Sequence, residues 1–65
     1  MTDEQKAAYV FANAVAAQAE IEGMKSENRL REFQDLSPAY GEKEFMEIID
    51  KYGLYHNAML SLFHN

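Results

Sequence analysis

Between Asp3 and Gln34 the chain contains no proline, and within that run its smallest side chains fall on one stripe. Ala12, Ala16, Ala19, Gly23 and Ser26 recur at alternating steps of four and three, and Leu30 and Phe33 continue the row. The start of the run is well marked. Thr2 suits a helix N-cap, and Gln5 stands three positions later, as a capping box requires. Asp3 and Glu4 occupy the first turn, where the positive end of the helix dipole favours carboxylates. Gly23 is the one weak point, costing about 1 kcal/mol relative to alanine. The pattern predicts a single helix over residues 3–34.

A helix of that size is about 48 Å long at 1.5 Å per residue. A compact domain of 65 residues is only about 28 Å across. The helix is therefore expected to overshoot its own domain, and two short helices are expected to leave it partly bare. Its first half is apolar on more than one side, through Ala7, Ala8, Tyr9, Val10, Phe11, Ala14, Val15, Ala17 and Ile21. Soluble monomers avoid exposing such a patch. The stripe Ala12, Ala16, Ala19, Gly23, Ser26 and Leu30 has the mean step of about 3.5 that a coiled-coil seam needs. A second row, Val10, Ala14, Ala17, Ile21 and Met24, lies beside it and is available to the short helices or to another chain. Helix propensity alone would account for many alanines, but it does not ask them to align. The expectation is self-association along the stripe into a homodimer or larger helical bundle.

Asp35-Leu36-Ser37-Pro38 breaks the long helix, because the residue before proline avoids the helical region and Pro38 suits a turn or a helix start. A second helix is expected over 42–52, with Phe45, Ile48, Ile49 and Tyr52 on one face. Gly53 reads as its left-handed stop, with Leu54 giving the apolar contact that follows. A short third helix is expected over 57–63, with Asn57 as N-cap. Tyr40, Phe45, Tyr52, Tyr55 and Phe63 are expected to form the core against Leu30, Phe33 and Leu36, with one or two tyrosines left as a contact surface. The fold class is all-α: one small helical domain over 1–65, with a long N-terminal helix and two short C-terminal ones, assembled through the long helix.

Small domains gain stability from disulfides, metals or oligomerisation. The absence of cysteine rules out disulfides and thiolate metal sites, and His56 and His64 are too few for a zinc cluster. Oligomerisation remains. The net charge of −5, with six Lys and Arg in all, disfavours nucleic-acid binding and attachment to an anionic membrane. An acidic chain suits a basic protein surface, although solubility is by itself sufficient reason for acidity. The segment AAYVFANAVAAQA is too short to span a bilayer and carries Asn13 and Gln18. MTDEQK lacks the basic start of a signal peptide. A soluble, cytoplasmic protein is expected.

Three constellations bear on chemistry. Lys25, Arg29 and Arg31 form the densest basic spot and could hold a carboxylate or phosphate. Glu22 and Glu27 stand at pairing distance and account for them as surface ion pairs. If assembly gathered these residues from several chains beside an aromatic such as Tyr9 or Tyr40, they could sequester a small anionic nucleotide. The tail spaces Ile48, Gly53, Leu54, Met59 and Leu62 as a helix-turn-helix does. Its would-be recognition helix offers Asn57, Ala58 and Ser61 without a Lys or Arg, a weak basis for DNA regulation. His56 could act as a base, but no cysteine exists and Ser61 lies five residues along the same short helix. No catalytic residue, cofactor or metal is expected, and the protein reads as non-enzymatic.

EQKAAYVFANAVAAQAEIEGMKSEN, followed by AYGEKEFMEIIDKYGLYHNAMLSLF, resembles small uncharacterised helical accessory proteins of tailed bacteriophages. EIEGMKSEN, AYGEKEF and KYGLYHNA are the most distinctive parts. The resemblance carries over no functional residue. It implies a setting, the host cell cytoplasm, and a kind of role: binding and inhibiting a host protein, counter-defence included.

Overall fold

The computed structural model describes residues 1–64. They form α1 (Asp3–Phe33), α2 (Glu42–Lys51) and α3 (His56–Phe63). The capping box opens α1 as expected: Gln5 donates its N–H to Thr2 Oγ1 at 3.1 Å, and Thr2 N–H donates to Gln5 Oε1 at 2.9 Å.

α1 ends before the proline takes effect. Asp35 sits in the left-handed region at φ 57. Leu36 N–H donates to Arg31 O at 2.8 Å and Asp35 N–H to Glu32 O at 3.1 Å, the paired closing bonds of a Schellman motif. An aspartate here bears a cost that glycine would not. Asp35→Gly is expected to raise stability by about 0.5–1 kcal/mol, or the melting temperature by roughly 4–8 °C at the upper end, read by thermal denaturation. α2 closes in the same way with the residue the geometry favours. Gly53 has φ 64, Gly53 N–H donates to Asp50 O at 3.1 Å and Leu54 N–H to Ile49 O at 2.9 Å. α3 begins one residue earlier than expected, with Tyr55 rather than Asn57 at the N-cap position and no side chain capping it.

The tail does not gather into a globule at one end of α1. It runs back along one side of the rod, so the molecule measures 51 × 18 × 10 Å with a radius of gyration of 15.1 Å. A compact chain of this length would have a radius near 11 Å. The side of α1 that faces the tail is a row of Lys6, Val10, Asn13, Ala17, Ile21, Met24, Asn28 and Arg31, all half-buried or buried. Its steps are all of three or four, so the row stays on one face over the whole helix.

The core is small. Ala17, Met24 and Ile48 are buried, and Ile21, Tyr40, Phe45, Tyr52 and Leu54 pack around them. Ala17 lets α2 approach closely, and α2 lays the apolar face predicted for it onto α1. The aromatic core expected from the sequence is corrected on one side. Tyr40, Phe45 and Tyr52 join the core, but Leu30, Phe33 and Leu36 are exposed, as are Tyr55 and Phe63. The reason is directional: the core forms on the row that holds Ala17 and Met24, which leaves Leu30 and Phe33 outside it.

Polar groups fix the path. The Asn28 amide donates from Nδ2 to Tyr40 O at 2.8 Å and accepts Tyr40 N–H at Oδ1 at 3.0 Å, pairing with the backbone as a strand would. Arg31 Nε donates to Ser37 O at 2.6 Å. At the other end of α2, Asn13 Nδ2 donates to Tyr52 O at 3.4 Å. These contacts hold both ends of α2 against the rod.

Candidate interaction surface

The stripe Ala12, Ala16, Ala19, Gly23, Ser26 and Leu30 is exposed at every position, with Gly23 at the edge of the cleft that Met24 shares with Glu44, Glu47 and Ile48 of α2. Phe11 (71% exposed), Val15 (54%), Leu30 (51%) and Phe33 (85%) flank or extend it. The row that the tail covers does not lie beside the stripe as expected but on nearly the opposite side of the helix, about 160° round at 100° per residue: Val10, Ala17, Ile21 and Met24 are half-buried or buried, while Ala14 is exposed. Of two apolar rows at equal spacing, the protomer uses one and leaves the other bare. Gly23 makes the bareness concrete, because a Cβ built there meets nothing within 4 Å.

Lys25 and Arg29 come together as expected, lining a cleft of about 530 Å³ with Asn28, Glu32, Leu36 and Phe45. Arg31 does not join them, since its guanidinium is tied to Ser37 O. Lys25 Nζ lies 3.3 Å from Glu22 Oε1, the surface pair foreseen at that spacing. The aromatic beside the two cations is Phe45, not Tyr9 or Tyr40. Tyr9 lines a cleft of about 430 Å³ toward the other end of α1, with Asn13, Tyr52, Tyr55 and Met59. Tyr40 lines a third cleft, rimmed by Glu44 and Glu47.

A polar cluster that sequence reasoning missed joins α1 to the end of α2. Lys51 Nζ donates to Glu20 Oε1 and Oε2 at 2.9 and 3.0 Å, and Tyr52 Oη donates to Glu20 Oε2 at 2.8 Å. Lys51 Nζ also stands 5.4 Å from the centroid of the Tyr52 ring. The Lys51 and Tyr52 hydrogen bonds hold the Glu20 carboxyl below its ordinary value of 4.5. The bond to Glu20 raises both Lys51 and Tyr52 above theirs. Thirty-one residues separate Glu20 from Lys51, so no local spacing announced the contact.

These shifts set a pH window. A depressed carboxylate contributes stability above its unfolded value and loses it as pH falls through its folded value. The raised Lys51 and Tyr52 contribute below their unfolded values and lose that contribution as pH rises through the folded ones. Docking of α2 on α1 is therefore expected to weaken below about pH 4 and above about pH 10. Glu20→Gln should remove the acid-side dependence contributed by this cluster while leaving the helices formed. Tyrosine fluorescence and near-ultraviolet circular dichroism across pH report the docking, and an acid limb unchanged in Glu20→Gln would exclude the cluster as its source.

The remaining candidates are isolated. His56 is exposed on the first turn of α3, with no side chain orienting it among the described residues. The exposed side of α3 carries His56, Asn57, Leu60, Ser61 and Phe63, without a cation to meet phosphate. Among the described residues no cluster of His, Cys, Asp or Glu has the geometry of a metal site. None of their helices is long and apolar enough to cross a membrane.

No family model, curated protein or solved structure matches the chain. The reading of its function rests on the surfaces just described.

Proposed function

We propose that this chain is a non-enzymatic protein-interaction module. It self-associates through the bare face of α1 and uses the outward side of α2 and α3 to bind and inhibit a second protein. In the phage-type setting that the sequence resemblance implies, that second protein is a host factor met in the host cytoplasm. The observation that carries the reading is the apolar face of α1, bare from Phe11 to Phe33, where the core among the described residues holds three buried side chains. Such a face is a protein-binding surface in the ordinary economy of soluble proteins.

Tyr55, Leu60 and Phe63 are exposed at one end of the tail, and Glu44 and Glu47 rim the cleft beside Tyr40. Exposed apolar side chains on an acidic chain suit a basic protein partner. The test is capture from bacterial lysate, followed by reconstitution from purified components and substitution of Leu60 by Asp. A specific complex that Leu60→Asp weakens tenfold or more supports the reading. Retention of no protein, or of one that ignores the substitution, overturns the host-target half of it.

A second reading has one observation in its favour. Lys25 and Arg29 share a cleft with the Phe45 ring, an arrangement open to an anionic nucleotide through charge and stacking. Glu32 in the same cleft opposes it. A nucleotide-induced rise in melting temperature that Arg29→Ala abolishes would favour this reading over the first.

A further inference from the structure

The last two residues of α2 and the two after it, Asp50 to Gly53, border the cleft of about 430 Å³ that Tyr9 of α1 and Met59 of α3 also line. The C-terminal end of a helix is the negative pole of its dipole and favours a cation. Here the sequence sets a carboxylate instead, because Asp50 stands in the last turn of α2. Asp50 has no ion-pair partner among the described residues. The charge of the adjacent Lys51 is answered by both carboxylate oxygens of Glu20, at 2.9 and 3.0 Å. The rim is left with one unanswered negative charge, at the helix end that already favours a cation. Three of the four tyrosines line the same cleft. Tyr52 is engaged, since its hydroxyl donates to Glu20 and Lys51 Nζ stands 5.4 Å from its ring centroid. Tyr9 and Tyr55, 52% and 47% exposed, have no cation over their rings among the described residues. Half-buried Met59 and Leu62 give the cleft an apolar lining.

We propose that this cleft binds the guanidinium of an arginine side chain presented by a basic partner protein. The inference rests on the interaction-module reading and adds the chemistry that the partner presents. A guanidinium meets every feature of the site. Its planar fork gives a carboxylate such as Asp50 two parallel N–H donors. Its faces stack on aromatic rings such as Tyr9 and Tyr55. Its charge is favoured by the end of α2, and the aliphatic stem lies against apolar lining. Lysine fits less well, because its ammonium is compact, strongly hydrated and unable to stack. An anion would meet both the carboxylate and the negative helix end. Asp50 works against the dipole of its own helix in the isolated protomer, and a bound cation reverses that effect in the complex. Arginine is also among the side chains that dominate affinity at protein interfaces.

The test uses the whole chain and three capped glycine-X-glycine peptides, with arginine, its neutral isostere citrulline, or lysine at X. Nuclear magnetic resonance of the tyrosine rings follows each titration. The arginine peptide should give saturable shifts at Tyr9 and Tyr55, with the citrulline peptide about tenfold weaker and the lysine peptide roughly threefold weaker. Asp50→Asn should weaken the arginine peptide about tenfold. It should leave the melting temperature unchanged or higher, because it removes a carboxylate from the unfavourable end of α2. Tyr55→Leu should weaken the arginine peptide roughly threefold. Glu47→Gln removes the same charge from α2 beside a different cleft and should leave binding as it was. Absence of a saturable shift, or equal binding of the citrulline peptide, overturns the proposal. Equal weakening by Glu47→Gln and Asp50→Asn also overturns it, since overall charge would then account for the contact. Equal binding of the lysine peptide overturns the choice of guanidinium. A captured partner whose affinity ignores Asp50→Asn overturns the arginine site and leaves the interaction module standing. Arginine binding with these responses, in a chain that captures no protein from lysate, supports the site and removes the host-target reading.

Discussion

Ile48→Ala is expected to undock the tail from the rod. Ile48 is 7% exposed and meets Ala17 and Met24, the only other buried apolar side chains among the described residues. Truncating a buried isoleucine to alanine costs about 2–5 kcal/mol, more when the site cannot collapse. Here the facing residue is already an alanine, so little can move in to fill the space. A domain this small has a stability near the low end of about 5–15 kcal/mol, so the loss takes much of what it has. The polar contacts at either end of α2 do not compensate, because an exposed pair such as Glu20 with Lys51 contributes little by itself. Chemical denaturation should show a lower midpoint, and near-ultraviolet circular dichroism of the tyrosines should be reduced even in the absence of denaturant. An unchanged midpoint would mean that the three-residue core does not hold the tail.

Ala19→Glu should have the opposite signature, leaving the protomer's contacts intact and dissolving the assembly. Ala19 is exposed, and glutamate is a good helix former. In a closed seam, however, each copy would bury a carboxylate without a partner, a cost of several kcal/mol per copy. Light scattering should report the mass of a single chain at concentrations where the parent is associated, with dissociation constants at least a hundredfold apart. The parent mass retained in Ala19→Glu would place assembly elsewhere. Gly23→Ala sharpens the comparison. In a lone protomer it should stabilise α1 by about 1 kcal/mol, because the new methyl meets nothing. In a close-packed pair the methyl intrudes on the other copy and weakens association.

Most of the local architecture was legible from the sequence, because its causes lie within a few residues of one another. The Thr2–Gln5 box, the start of α2 after Gly41 and the left-handed Gly53 each depend on side chains or φ values no more than four positions apart. The end of α1 was placed within one residue, although the cause differs from the expected one: Asp35 in the left-handed region closes the helix before Pro38 can. The candidate basic site was half legible. Spacing put Lys25 and Arg29 on one side of α1, but Arg31 was claimed by a turn carbonyl whose position no helical periodicity encodes.

The sequence by itself determined three helices, their boundaries and two apolar rows on the first of them. Only the tertiary structure decided which row the tail would take. The covered row carries Val10, Ile21 and Met24 where the bare one carries Ala12, Gly23 and Ser26, so burial of apolar area favours it. Asn13, Asn28 and Glu20, polar groups set beside the covered row, add bonds to Tyr52 O, to the Tyr40 backbone, and to Lys51 and Tyr52. Those partners lie between 12 and 39 positions away along the chain. A hydrogen bond of that span exists only once the chain has returned on itself, which is why these contacts, and with them the path of the tail along α1, could be named only from the folded molecule.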